Sequence, residues 1–291
     1  MLKDIVSGGG TGGGGPATFV PMPTVDELQA HLATLPSAVL GYSGGVDSAV
    51  LAVVGARVLG PDRFVAVIGR SASYPAVQWE AATTLAAQFA VPLLEVDTHE
   101  LEDASYAANP VNRCYFCKSE LWRALGAVAA ERGLAVLLDG TNADDLREHR
   151  PGAAAGTARQ VHSPFVVLGW TKVQVRRAAL ELGLPTWDAP AAPCLSSRIE
   201  YGLPVTPARL LQVESAEASI RALGVAADLR VRHHGDRARI EVTPAERALV
   251  ERHWEEIVRR LTDLGFDEVE LDPLGYRRGA LLPLARAPDA L

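Results

Sequence analysis

The stretch Ser37-Ala38-Val39-Leu40-Gly41-Tyr42-Ser43-Gly44-Gly45-Val46-Asp47-Ser48 decides how this chain folds. Its first half is short, apolar and preceded by Pro36, which reads as a buried strand. After it, Val46, Ala49, Val50, Val53 and Val54 recur at helical spacing, so a helix with one buried face is expected. Between the two, Ser43 to Ser48 make a tight turn. The first backbone N–H groups of a helix lack internal partners and lie at the positive end of its dipole. Such a turn therefore suits a phosphate or pyrophosphate. Ser43 and Ser48 add hydroxyl donors, and Gly44 and Gly45 leave the approach open. A purely structural glycine turn is the competing reading.

Two commoner phosphate loops are excluded here. No G-x-x-x-x-G-K-[ST] occurs, and no G-x-G-x-x-G sits at this turn. The hexapeptide Ser43-Gly44-Gly45-Val46-Asp47-Ser48 instead resembles the pyrophosphate loop of the ATP pyrophosphatase (PP-loop) superfamily, whose members adenylate an oxygen with ATP and release pyrophosphate. That resemblance implies that Ser43, Gly44, Gly45, Asp47 and Ser48 hold the ATP phosphates, with Mg²⁺ expected.

Strands and helices alternate outward from this loop. A capping box, Thr24 with Glu27, opens a helix over about 25–35. Phe64 to Ile68 reads as a strand, 76–90 as a helix, 93–96 as a strand, 112–131 as a helix stopped by Gly133, and 135–138 as a strand. This pattern predicts an α/β fold with a doubly wound parallel sheet. In such sheets the loops after the strands line the ligand crevice. Ile68, Arg70, Ser71 and Ser73 after one strand, and Gly140, Thr141 and Asn142 after another, are therefore expected near the nucleotide base. A solvated loop is the alternative for Arg70 to Ser73.

The stretch 147–160 reads as a loop. A second capping box, Thr171 with Gln174, opens a helix that ends at Gly183. A connector rich in proline follows, then a helix from Thr206-Pro207, a hairpin around His234-Gly235-Asp236, a helix after Thr243-Pro244 and a strand over 266–271. The expected organisation is a glycine-rich tail at 1–23, a nucleotide domain at 24–190, a connector at 191–205 that carries Cys194, a smaller α+β domain at 206–280, and a tail at 281–291.

Composition narrows the function. A net charge of −7 argues against nucleic acid or an anionic membrane as partner. No run of 18 apolar residues and no cleavable leader pattern is found, so a cytoplasmic protein is expected. There are three cysteines, two of them in Cys114-Tyr115-Phe116-Cys117. An odd number with a close pair points to metal or thiol chemistry over a disulfide framework. At the start of a helix the dipole is expected to favour the thiolate of Cys114 and Cys117. Cys194 lies beside Ser196, Ser197 and Arg198, which suit a thiolate or an anionic ligand.

Five motifs in order carry a sharper resemblance: the loop at 43–48, Asn112-Arg113-Cys114-Tyr115-Phe116-Cys117-Lys118, Asp139-Gly140-Thr141-Asn142-Ala143-Asp144-Asp145, Arg150-Pro151-Gly152, and Pro193-Cys194-Leu195-Ser196-Ser197-Arg198. Together, over roughly residues 25–275, they resemble the LarE family of ATP-dependent sulfur transferases. The resemblance implies adenylation of a carboxylate of pyridinium-3,5-biscarboxylate mononucleotide, then sulfur insertion to a thiocarboxylate, on the route to the nickel-pincer nucleotide of lactate racemase. Family members either sacrifice one cysteine, here Cys194, or hold a 4Fe-4S cluster with three. Cys114, Cys117 and Cys194 together resemble the cluster type. Three thiolates leave one iron of a cubane open to a transferable sulfur. Sacrifice of Cys194, and structural zinc completed by His149 or His162, remain the other readings.

The substrate phosphate needs cations, and Arg198, Arg230 and Arg232 are the candidates, because guanidinium grips phosphate bidentately. A solvated strand edge is the plainer reading of Arg230 and Arg232. The family also implies a homo-oligomer and hand-over of product to a downstream nickel-insertion enzyme. A PP-loop tRNA thiolase is the rival within the superfamily. It should show a basic surface or a zinc-ribbon module, and this acidic chain shows neither.

Overall fold

The computed structural model describes residues 24–147, 151–190, 192–277 and 281. The tail call at 1–23 and that at 281–291, apart from buried Leu281, therefore lie outside the described residues, as do His149 and Arg150. From the start, helix α1 (Val25–Ala33) is capped by Thr24 and Glu27 in the expected box. Strand β1 (Ala38–Gly41), helix α2 (Val46–Leu59), strand β2 (Phe64–Arg70), helix α3 (Ala76–Gln88) and strand β3 (Leu93–Asp97) follow. Next come helix α4 (Ala104–Ala107), helix α5 (Arg113–Arg132) and strand β4 (Val136–Leu138). Gly133 ends α5 in the left-handed conformation, φ 64°, which costs a glycine little.

These four strands form one parallel sheet in the order β3-β2-β1-β4. The chain runs outward from β1 to β3 and then crosses to β4 on the other side. The crevice of such a sheet opens where the order reverses, beyond the end of β1, and that is where Ser43 to Ser48 lie. The sheet is covered on both faces. Leu40, Ala66 and Ile68 pack with α1 and α2, whereas Val39, Val65 and Val67 pack against Trp122, Leu125 and Val128 of α5. The alternation follows from the two-residue period of a strand.

Helix α2 departs from the expectation of one buried face. Val46 and every residue from Ser48 to Val54 are buried, because α1 and helix α8 (Lys172–Glu181) both pack on α2. Gly55 permits close contact with the sheet: a Cβ there would sit 2.5 Å from the Phe64 ring. The stretch 147–160 also differs. It contains helix α6 (Pro151–Ala158), which packs on α5. Its alanines favour a helix, and proline is tolerated in a first turn. Helix α7 (Pro164–Val167) then leads to α8, whose Thr171–Gln174 capping box is present.

The connector carries a 3₁₀ turn, Leu195–Arg198. Beyond it, helix α9 (Pro207–Arg221), strands β5 (Leu229–His234) and β6 (Arg237–Val242), helices α10 (Pro244–Arg252) and α11 (Trp254–Asp263) and strand β7 (Glu268–Leu271) complete the described chain. The strands form a mixed sheet, β5-β6-β7, with β5 and β6 antiparallel and β6 and β7 parallel. The parallel pairing needs a crossover, and α10 and α11 provide it. Helix α11 escaped the sequence reading although Ile257 and Leu261 bury one of its faces. Ala216, Ile220, Val231, Ile240, Ile257, Leu261 and Phe266 share this second core.

His233 lies in that core, 2% exposed and edge-on to Phe266, with Nε2 2.9 Å from Gln212 Oε1. Burial, helped by Arg209 and His234 and opposed by Asp236, lowers its pKa to about 4. A depressed histidine pKa means that the unfolded chain binds the proton first. The stability it confers is full above pH ~6.5 and is lost as pH falls from there to about 4. The loss expected from the shift is about 3 kcal/mol. Denaturant unfolding of the wild type and His233→Gln at pH 7 and pH 4 checks this: the wild type should lose more stability on acidification than the variant, by roughly that amount.

Candidate functional site

Gly45 is the N-cap residue of α2, and no side chain caps it. The first N–H groups of α2 are thus left to a ligand. Gly44 has φ +68°, and a Cβ there would lie 2.5 Å from that of Ala82, so the turn demands glycine on both counts. Ser48 accepts from the Ser43 N–H at 3.2 Å and donates to Gly45 O at 3.1 Å. It is buried and braces the loop, while Ser43 is exposed.

Asp47 ties three distant segments together. Its Oδ1 accepts from Asn142 Nδ2 at 3.1 Å, and its Oδ2 pairs with Lys172 Nζ. Gly140 makes this approach possible, since a Cβ there would sit 3.0 Å from both Asp47 Cβ and Ser48 N. Asp139 shapes the same turn, accepting from Thr141 N–H at 3.1 Å, Thr141 Oγ1 at 2.7 Å and Ser163 Oγ at 2.6 Å. Lys172 was missed in the sequence. The capping box that presents it was legible, but no local signal connects it with a loop 125 residues earlier.

At the end of β2, Ile68 is buried, and Arg70 lies 5.0 Å over the Trp79 ring and 3.8 Å from Glu95. Arg70, Tyr74, Trp79, Leu211 and Glu214 are among the residues lining a pocket of about 430 Å³. Ser71 and Ser73 both donate to Oε1 of buried Glu100, at 2.6 and 2.8 Å. The adjoining backbone links the two halves of the site. Tyr74 donates to Ser43 O at 2.9 Å, and Leu195 N–H donates to Ser73 O at 2.8 Å. The loop that carries Cys194 is therefore pinned one residue from the tyrosine that touches the Ser43–Ser48 loop.

A second set of bonds fixes that loop against α4 and α5. Buried Asn109 donates through Nδ2 to Glu200 O and Leu203 O, both at 2.8 Å, and accepts from Arg113. Tyr106 meets Ser196 Oγ at 2.6 Å. Arg113, buried, lies 5.7 Å over the Tyr201 ring. Since Arg113 immediately precedes Cys114, these contacts bring the Cys114–Cys117 turn and Cys194 into one electrostatic environment. Burial and the charge of Cys194 both raise the thiol pKa of Cys114, against Arg113 and Lys118. Burial, Cys194 and Glu100 push Cys117 up to about 12. For half-buried Cys117, desolvation thus works against the thiolate bias expected of the helix start, whereas the Cys114 residue is exposed to solvent.

Among the described residues, no three His, Cys, Asp or Glu side chains converge so as to hold one metal ion. His162 meets His31 at 2.8 Å between Nε2 atoms. Neither observation favours structural zinc.

The three arginines expected to hold a phosphate are buried. Arg198 pairs bidentately with Glu217 at 2.9 and 3.1 Å and donates to Cys194 O at 2.9 Å. Arg232 pairs with Glu241 at 2.7 Å and donates to Ser197 O at 3.0 Å. Both brace the cysteine loop. Arg230 lies 5.2 Å from the Tyr276 ring. With Arg198 and Arg221 it lines a cavity of about 670 Å³ that also touches Ala192 and Leu195.

The family model described as NAD synthase matches residues 25–115, the first part of the parallel-sheet region. An uncharacterized protein of Synechocystis is 40% identical over 259 residues, 88% of this chain and 96% of its own. The pyridinium-3,5-bisthiocarboxylic acid mononucleotide synthase of Lactiplantibacillus plantarum is 32% identical over 254 residues, 87% of this chain and 92% of its own. The chain belongs to the family of that synthase. It lies within the NAD synthase-like, adenine nucleotide alpha-hydrolase group, whose members use ATP. An uncharacterized protein of Methanocaldococcus jannaschii is 26% identical over 82% of this chain. In this family member no helix of the described residues is long and apolar enough to cross a membrane.

Two substitutions test the reading of these contacts. Lys172→Met leaves Asp47 without its cation and should weaken ATP binding at least tenfold, read by calorimetric titration, with little loss of stability. Arg198→Met leaves Glu217 buried and unpaired and should cost roughly 3–5 kcal/mol in denaturant unfolding, whether or not substrate is present.

Proposed function

We propose that this protein is an ATP-dependent sulfur transferase that converts a carboxylate of pyridinium-3,5-biscarboxylate mononucleotide into a thiocarboxylate. The observation that carries the reading is the join at Ser73 and Tyr74. It holds the Ser43–Ser48 loop and the loop that carries Cys194 side by side. The identity to the Lactiplantibacillus plantarum synthase supports the choice of substrate.

In the first step the substrate carboxylate attacks the α-phosphorus of ATP. An oxygen–phosphorus bond forms, the bond to the β-phosphate bridge breaks, and pyrophosphate leaves. The α2 N–H groups and the Ser43 hydroxyl bind the leaving phosphates, and Lys172 neutralises charge beside them. Mg²⁺ would arrive with the ATP, and Asp47 is the carboxylate of the loop that would hold it. In the second step sulfur attacks the acyl carbon, the bond to AMP oxygen breaks, and the thiocarboxylate forms. Adenylation replaces a poor leaving group by AMP. The 670 Å³ cavity beside Leu195 is the place for the substrate, with Arg230 at its wall for the phosphate.

The sulfur is best supplied by a 4Fe-4S cluster on Cys114, Cys117 and Cys194. The three thiols influence one another electrostatically, and one thiolate per iron is the usual ligation of such a cluster. When bound, the cluster supplies a renewable sulfur donor. Cys117 must lose its proton for this, and metal binding provides that driving force.

Protein purified without oxygen should carry iron and sulfide, near four of each per chain. Alanine at any one of Cys114, Cys117 or Cys194 should lower both. Iron-free protein with activity would sink the cluster. If, in addition, only Cys194→Ala abolishes activity, and the wild type loses the mass of one H₂S per turnover, Cys194 is the sacrificed donor instead.

A further inference from the structure

Helix α9 turns one stripe of side chains toward the 670 Å³ cavity: Glu214, Glu217, Ala218 and Arg221. Spacings of three, four and seven residues place them on one face of the helix. Their charges are not equally engaged. Glu217 is closed by Arg198, whose two bonds to it measure 2.9 and 3.1 Å. Glu214 and Arg221, at the two ends of the stripe, enter no ion pair among the described residues. Half-buried Glu214 accepts from Ala76 N–H through Oε1 at 2.7 Å, and exposed Arg221 donates to Ala227 O at 3.3 Å. Each has more hydrogen-bonding capacity than that one bond uses.

The two ends of the stripe are about 10 Å apart along the helix, and they face different surroundings. Ala76, which Glu214 meets, follows by three residues the Ser73 carbonyl that pins the cysteine loop through Leu195. Arg221 meets the turn before β5. A carboxylate suits ribose hydroxyls, and a guanidinium suits phosphate. Resting on the sulfur-transferase reading, we propose that Glu214 and Arg221 fix the direction in which the mononucleotide lies: Glu214 accepts from the ribose diol, and Arg221, together with Arg230 of the same cavity wall, holds the 5′-phosphate. The ring then projects toward the Pro75 and Leu195 end of the cavity, the end that adenylation and sulfur transfer require. The reverse direction would set the phosphate against Glu214 and is opposed by charge.

The probes are nicotinic acid mononucleotide, its 2′,3′-dideoxy analogue and its nucleoside, titrated calorimetrically into the full-length chain with α,β-methylene-ATP filling the nucleotide loop. The wild type should bind the mononucleotide about tenfold more tightly than either of the other two. Glu214→Ala should bring the preference for the diol to about one, and Glu214→Gln, which keeps the Ala76 bond, should lower it. Arg221→Gln should abolish the preference for the phosphate and leave that for the diol, with circular dichroism confirming that each variant is folded. A diol preference that survives Glu214→Ala, or a phosphate preference that survives Arg221→Gln, overturns the inference and leaves the sulfur-transferase reading standing. A wild type that binds none of the three counts against that reading itself and removes the inference with it.

Discussion

The Asp47 carboxylate, held between Asn142 and Lys172, is the interaction on which the rest depends. One acid joins the turn after β1, the turn after β4 and the first residue of α8. Without it the Ser43–Ser48 turn would lose its side-chain ties to the opposite wall of the crevice. The approach is close enough that a side chain at Gly140 would crowd Asp47 and Ser48. A ligand phosphate competing for Lys172 would therefore act on all three segments at once.

The cysteine half is built by a different device. Asn109 satisfies carbonyls of the 199–203 backbone that helices and strands leave unpaired, and Arg113 closes the bond on Asn109 itself. Buried polar groups are costly unless paired. Here the pairing determines where Cys194 sits relative to α5. Arg198 and Arg232 add two buried ion pairs behind the same loop. Arg198 and Arg232, which first look like phosphate ligands, are thus engaged in holding the loop, and Arg230, itself bonded to Leu229 O at 2.7 Å and 4.0 Å from Asp228, lines the cavity with Arg198 and Arg221.

Much of this was legible in the sequence, and the limits have physical causes. The parallel sheet could be read because its strands are continuous apolar runs and its helices carry caps and stop glycines. The glycine requirement at Gly44 was visible in the same way. Long-range pairings were not. Lys172, Asn109 and Glu217 act through partners distant in sequence, and no periodicity encodes such a pairing. Helix α6 was missed because its alanine and glycine composition has no polar face to set a period. The environment of Cys117 was misjudged because the dipole can be read from a helix start, whereas the burial that opposes it depends on the packing of Leu195, Ile199 and Phe116.

The most direct test of the central claim follows an oxygen atom. Pyridinium-3,5-biscarboxylate mononucleotide labelled with oxygen-18 in its carboxylates, incubated with the anaerobically purified enzyme and ATP, yields products that mass spectrometry can weigh. The account predicts that AMP carries one labelled oxygen, that pyrophosphate appears in equal amount, and that the nucleotide gains sulfur where it lost that oxygen. Unlabelled AMP, or ADP and phosphate in place of AMP and pyrophosphate, would contradict it.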